Sequence, residues 1–179
     1  MKVGILSDSH DKRGSAADAL AVFLREHAEA VLHLGDVCSP PVVEPFRKAA
    51  MPFHGVFGNN DYDRFGLQTV SGNGFHRGPH VIELAGRKIL MAHAFDDLQG
   101  EMNERGKFDL VLFGHTHRPL TMRMGSAIVI NPGESCGFMS GRATCAVIDL
   151  STMDARILNL AEATAVAAGG FDPGTRIRK

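Results

Sequence analysis

Seven side chains able to bind a hard or borderline divalent cation stand where an apolar run of this chain gives way to a polar loop. They are Asp8 and His10 in Asp8-Ser9-His10, Asp36 after Gly35, Asn59 after Gly58, His93 after a short apolar run, and His115 and His117 in Gly114-His115-Thr116-His117. In an extended segment residues i and i+2 share a face, so Asp-x-His or His-x-His at a strand end can aim both side chains at one point. Carboxylate, imidazole and amide oxygen together suit manganese, iron, zinc or nickel, whereas a calcium site would hold mostly oxygens. Each motif alone is weak; repetition of the placement at five strand ends points to a metal centre.

The elements that must position these residues follow from the hydrophobic pattern. Residues 2–7 read as a buried strand ending at Ser7 and Asp8, and apolar residues at helical spacing from Ser15, a candidate N-cap, to about His27 read as a helix. A strand over 30–34 runs into Gly35-Asp36, Pro40-Pro41 open a helix reaching about Lys48, and a strand over 53–57 runs into Gly58-Asn59-Asn60-Asp61. This β-α-β-α-β order implies parallel strands with right-handed crossovers. Hairpins are then expected from 79–84 with 88–93 around Gly86, from 120–124 with 127–130 around Gly125, and from 144–150 with 155–160. A weak helix over 96–105 and a strand over 110–113 lie between them, and the pattern predicts two sheets packed face to face with helices outside.

Composition narrows the functions available. At 179 residues the length fits one ordinary domain. Nineteen Lys and Arg against twenty Asp and Glu give a net charge of -1, so no strong field draws in nucleic acid or an anionic membrane. No apolar run approaches the roughly 20 residues of a membrane span. The first residues reach Asp8 after too short an apolar stretch for a leader, so a cytoplasmic protein is expected. Cys38, Cys136 and Cys145 show no Cys-x-x-Cys spacing and are expected to be reduced thiols. His27, His33, His54, His76 and His80 match no motif and read as structural or exposed, and the basic end at Arg176, Arg178 and Lys179 reads as solvated.

The ordered set of Asp-x-His, Gly-Asp, Gly-Asn-x-Asp, a strand-terminal His and Gly-His-Thr-His resembles the calcineurin-like metallophosphoesterase superfamily, and within it the small bacterial and archaeal phosphodiesterase branch. The resemblance covers Met1 to about Leu160. It implies an α/β fold, a four-layer α/β/β/α sandwich of two mixed sheets flanked by helices, as a single domain over 1–160 with a poorly patterned tail over 161–179. It also implies two divalent metal ions, one held by Asp8, His10, Asp36 and His117 and the other by Asp36, Asn59, His93 and His115. Asp36 would bridge them, and Asp36, Asn59 and His93 would form the catalytic centre. Manganese is the first expectation, iron, nickel or zinc the alternatives, and no further cofactor is implied.

Such a metal pair lowers the pKa of a shared water, so the implied reaction is hydrolysis of small phosphodiesters by in-line attack of a metal-bridging hydroxide. A phosphomonoesterase or a nucleotide pyrophosphohydrolase would use the same centre, and a non-catalytic binding scaffold would keep only the fold. The expected partner is a small phosphoester, and the expected assembly a homodimer or homotetramer, with strand 120–124 a candidate interface.

Three departures qualify the resemblance. Asn60 stands where many members place a histidine that assists the leaving group, which favours substrates with good leaving groups. Ala94-Phe95 follow His93 where relatives commonly have Gly-His, and Phe57 replaces an arginine that often precedes Gly-Asn. Asp61 reads either as an orienting group behind a ligand or as a turn cap. Arg118 and Arg142 are candidates for a substrate phosphate or for salt bridges.

Overall fold

Near-continuous apolar runs form the central strands because both faces of those strands are covered. In the computed structural model, which describes residues 1–103 and 106–162, the first sheet has the order β11-β10-β1-β2-β3-β4. Its strands are β1 (Lys2–Leu6), β2 (Ala28–His33), β3 (Phe53–Val56), β4 (Phe75–His76), β10 (Thr144–Asp149) and β11 (Asp154–Asn159). β1 to β4 are mutually parallel, and β10 runs antiparallel to β1 and β11.

The second sheet has the order β5-β6-β7-β9-β8, from β5 (His80–Leu84), β6 (Arg87–Met91), β7 (Leu110–Leu112), β8 (Leu120–Met124) and β9 (Ala127–Asn131). The expected hairpins β5-β6 and β8-β9 form, yet β6, β7 and β9 pair in parallel. The hairpin pattern does not show these parallel pairings; the chain crosses over between strands and makes the second of the two expected mixed sheets.

Alternation assigns each side chain to a layer. Val3, Ile5, Leu32, Leu34 and Val56 of the first sheet meet Ile89, Met91, Leu110, Leu112, Ile128 and Ile130 of the second in one buried cluster. The other face of the first sheet packs on α1 (Arg13–Arg25), α2 (Glu44–Lys48) and α3 (Arg64–Val70) through Ala16, Ala19, Val22, Phe23, Phe46 and Leu67. Gly4 permits that contact, since a Cβ there would lie 2.6 Å from the Phe23 ring. The fourth layer, over the second sheet, consists among the described residues of two 3-10 turns, Phe95–Leu98 and Glu101–Asn103, not the expected helix over 96–105. β8 stands at that sheet's edge with Leu120, Met122 and Met124 partly exposed.

Three other boundaries differ from expectation. α1 begins two residues before Ser15, which lies inside the first turn and donates to the Lys12 carbonyl at 2.8 Å. The stretch from Pro40 is a 3-10 turn, Pro40–Val42, followed by the short α2. α3 was not foreseen, although Asp63 caps it by accepting from the Gly66 amide at 2.9 Å. Beyond Glu162 the expected tail, with Arg176, Arg178 and Lys179, lies outside the described residues.

Candidate metal centre

Six parallel strands, three from each sheet, end at one place. β1 leads to Asp8 and His10, β2 to Asp36 and β3 to Asn59; β6 leads to His93, β7 to His115 and His117, and β9 to Glu134. Carboxyl ends of strands are where open α/β sheets gather their ligands, because the connecting loops there are free to vary. The loops fold sharply. Asp8, His10, Asp36, His115 and His117 all adopt left-handed backbone, with φ between 40° and 64°. Asp and His tolerate that region better than most residues, and such backbone persists only where the surroundings hold it. Here they do: the Asp8 amide donates to Gly35 O and the His10 amide to Asp36 O, both at 3.0 Å.

The structure brings all seven expected residues together. Asp36 faces both sides of the site, with Oδ1 3.5 Å from His93 Nε2 and Oδ2 3.7 Å from His10 Nε2. Asp8 Oδ1 is 3.5 Å from His117 Nε2, and the His10 and His117 rings stack at 5.2 Å. Asn59 Oδ1 and His115 Nδ1 lie 3.0 and 3.2 Å from His93 Nε2. Ligand atoms of Asp8, His10 and His117, and again of Asp8, Asp36 and His93, fall within 4.8 Å of one another.

Burial and charge make this arrangement expensive without a cation. Asp8 and Asp36 are buried to 0 and 2 % exposure, and His93 to 5 %. Asp8 Oδ1 and His10 Nε2 are buried and have no hydrogen-bond partner among the described residues. Orphaned atoms of this kind are rare because desolvation is not repaid. Both are lone-pair donors turned into the cluster, so the donor set fits a divalent ion. Burial raises the Asp8 carboxyl. Burial would also raise Asp36, but hydrogen bonds from His93 and Asn60 outweigh it and hold that carboxyl well below the ordinary range. Burial would lower His93, yet its bonds to Asp36 and the Leu34 carbonyl lift it above the ordinary imidazole value.

Several residues without a recognised motif orient this set. Glu134, fully buried, accepts from His117 Nδ1 at 2.8 Å, from the Met139 and Ser140 amides and from the Cys136 thiol. Burial would raise it, but the bonds from Ser140, His117 and Cys136 bring it down to about 2. Asn60 locks Asp36 with its amide at 2.8 Å and its Nδ2 at 2.7 Å. Asp61, also buried, accepts from the Gly58, Asp36 and Cys38 amides, so it ties the β2 loop to the β3 loop.

His33 is buried, and desolvation lowers its pKa to about 3. Its Nδ1 accepts from the Gly35 amide at 3.2 Å, so Nε2 carries the proton and donates to Ser9 Oγ at 2.7 Å, between the two site residues of β1. Cys38 lies 3.8 Å from His10, but burial first and Asp61 second push its thiol up to about 11, a neutral neighbour at ordinary pH.

Residues 1–153 match the calcineurin-like phosphoesterase superfamily domain, and the chain belongs to that family. A phosphodiesterase of Methanocaldococcus jannaschii is 30% identical over 161 residues, 87% of this chain and 97% of that one. The structure of a novel archaeal phosphodiesterase superposes with a TM-score of 0.81 at 29% identity, covering 89% of this chain and 99% of the other. Vacuolar protein sorting 29 of Cryptosporidium parvum, 18% identical with a TM-score of 0.63 over 88% of this chain and 95% of its own, shares the fold.

Proposed function

We propose that the protein is a dinuclear metal-dependent phosphodiesterase acting on small phosphodiesters. The observation that carries this reading is the pair of buried, unpartnered ligand atoms, Asp8 Oδ1 and His10 Nε2, inside a cluster whose other donors are already oriented. Asp8, His10, Asp36 and His117 would hold one ion, and Asp36, Asn59, His93 and His115 the other. A mixed set of carboxylate, imidazole and amide favours manganese, with iron, nickel or zinc as alternatives. When bound, the ions supply Lewis-acid activation of water and of the phosphate oxygens.

The chain's own groups fix this geometry. The carbonyl of Leu34 accepts from His93 Nδ1 at 2.8 Å and Glu134 accepts from His117 Nδ1, so both rings turn Nε2 inward. Asn60 donates to Asp36 and holds no ionisable proton, so the site favours esters whose leaving group departs as a weak base. Similarity to a protein and to a solved structure described as archaeal phosphodiesterases supports diester over monoester or pyrophosphate substrates. The presence of all seven ligand residues speaks against a scaffold that kept only the fold.

The deciding measurement is hydrolysis of bis-p-nitrophenyl phosphate by metal-stripped protein after addition of manganese, nickel, zinc or magnesium, beside p-nitrophenyl phosphate. Restoration of diester turnover by an added ion is the expected result. Preference for the monoester would move the assignment to a phosphatase. Bound metal with neither activity would leave the scaffold.

A further inference from the structure

A buried hydrogen-bond chain runs behind the β1 loop without using any of the expected metal ligands. His33, the last residue of β2, accepts from the Gly35 amide at Nδ1 and donates from Nε2 to Ser9 Oγ. Ser9 Oγ in turn lies 3.0 Å from Ser135 Oγ, one hydroxyl donating to the other. All three side chains are shut off from solvent. The His33 ring packs at 6.3 and 6.4 Å from the rings of Phe53 and Phe75, on the helix-facing side of the first sheet. Its orientation and its tautomer are therefore both fixed. At the other end, Ser135 belongs to a loop fastened to the site on either side of it. Glu134 holds His117 Nδ1, the Ser135 amide donates to Ser7 O at 2.9 Å, and the Cys136 amide donates to Asp8 O at 3.3 Å. The chain thus joins the ends of β2, β1 and β9, strands drawn from both sheets.

Ser9 stands between Asp8 and His10, whose φ values of 51° and 40° are a backbone conformation that persists only where the surroundings over-determine it. Asp8 Oδ1 and His10 Nε2 make no hydrogen bond among the described residues, so their placement depends heavily on the backbone that carries them. A buried network specifies one arrangement when every member is satisfied and is costly when one is not. We propose that His33 is a positioning residue of the metal centre: acting through Ser9, with Ser135 as the far anchor, it holds the loop from Asp8 to His10 in the geometry that presents both side chains to the same ion. The proposal rests on the metal-dependent reading above and adds to it a group that touches neither ion nor substrate.

The test measures manganese affinity of the metal-stripped full chain by competition with a chelator, beside the folding stability of the same metal-free proteins. Asparagine at position 33 can accept from the Gly35 amide but is too short to reach Ser9, whereas glutamine carries an amide N–H out to where Nε2 donates. Ser9→Ala and His33→Asn are each expected to weaken manganese binding about tenfold or more, and His33→Gln to stay within about threefold of wild type. Combining Ser9→Ala with His33→Asn is expected to weaken binding no further than the worse single variant, because both break one chain. A role confined to packing would lower stability and leave the affinity of the folded protein at its wild-type value, and that result overturns the proposal. Equal loss in His33→Asn and His33→Gln overturns it too. If the His33 variants do not fold, Ser9→Ala and Ser135→Ala decide: non-additive losses of affinity sustain the chain, and wild-type affinity in both overturns it. Manganese binding by wild type without diester turnover sinks the diesterase reading and leaves this proposal to the affinities, while turnover with unchanged affinity in every variant does the reverse.

Discussion

At the corner of the site made by His93 and His115, the ring facing Asp36 is oriented by a backbone carbonyl, that of Leu34, and its side chain is 6 % exposed. At the His10 and His117 corner the orienting group is the Glu134 carboxylate, and the two rings are 23 and 19 % exposed. The first corner is held by enclosure and a dipole that mutation cannot remove, the second by an extra buried negative charge. A carboxylate behind a ligating imidazole raises its basicity as well as fixing its tautomer, so the His117 corner should be the more sensitive to a side-chain change.

Breaking both corners at once should have the largest effect. Asp36→Ala removes the carboxylate that faces His10 and His93 together, and metal-dependent diester turnover should fall about a thousandfold or more. Next comes Gly35→Ala, aimed at the enclosed corner. Gly35 has φ of 95°, and a Cβ there would stand 2.6 Å from the Gly58 amide and 2.7 Å from His93 Nδ1. The expected loss is about 2 kcal/mol or more of folding stability by chemical denaturation, together with weakened metal binding. Glu134→Gln tests the charged corner with little change of shape. Competition with a chelator should show about 10- to 100-fold weaker metal binding.

The smallest effect concerns pH. His33 is neutral in the fold, with its pKa lowered to about 3 by burial, so the unfolded chain binds the extra proton below its ordinary value of 6.5. Its contribution is intact above pH 6.5 and falls as pH drops toward 3, at about 1.4 kcal/mol per pH unit at most. His54 and His80, also lowered, act in the same direction, whereas the raised His93 acts in the opposite one. The difference in slope between wild type and His33→Gln, from unfolding of metal-free protein between pH 7 and 5, isolates the His33 part. Equal slopes would show that His33 is not the titrating group.

Much of the proposed metal centre was legible because such a centre would need particular atoms at strand ends, and Asp8, His10, Asp36, Asn59, His93, His115 and His117, which the fold brings together, announce themselves by type and spacing. The groups behind them do not. Glu134 sits in Asn131-Pro132-Gly133-Glu134, seventeen residues from the histidine it holds, in a segment that reads as a plain turn. Asn60 was noticed for the histidine it replaces, while its hold on Asp36 depends on an approach between β2 and β3 that only the fold creates. The left-handed backbone at five of the site positions was equally hidden, since no glycine marks it there. In the fold, strand positions were readable from alternation. The parallel order of β6, β7 and β9 was not, because short apolar runs do not declare their direction.

The division of the site between two sheets has a mechanical consequence. Asp8, His10, Asp36 and Asn59 ride on the first sheet, and His93, His115 and His117 on the second, with largely apolar packing between the sheets below them and a few hydrogen bonds across the seam, such as that from Arg87 to the Leu150 carbonyl. Hydrocarbon layers resist separation well but resist sliding poorly, since burial is non-directional. Ions coordinated from both sides would act as rivets through that seam, adding to the few hydrogen bonds that already resist its shear. A cell short of the metal would then hold a molecule that is not merely idle but loose at its midline, and easier to unmake.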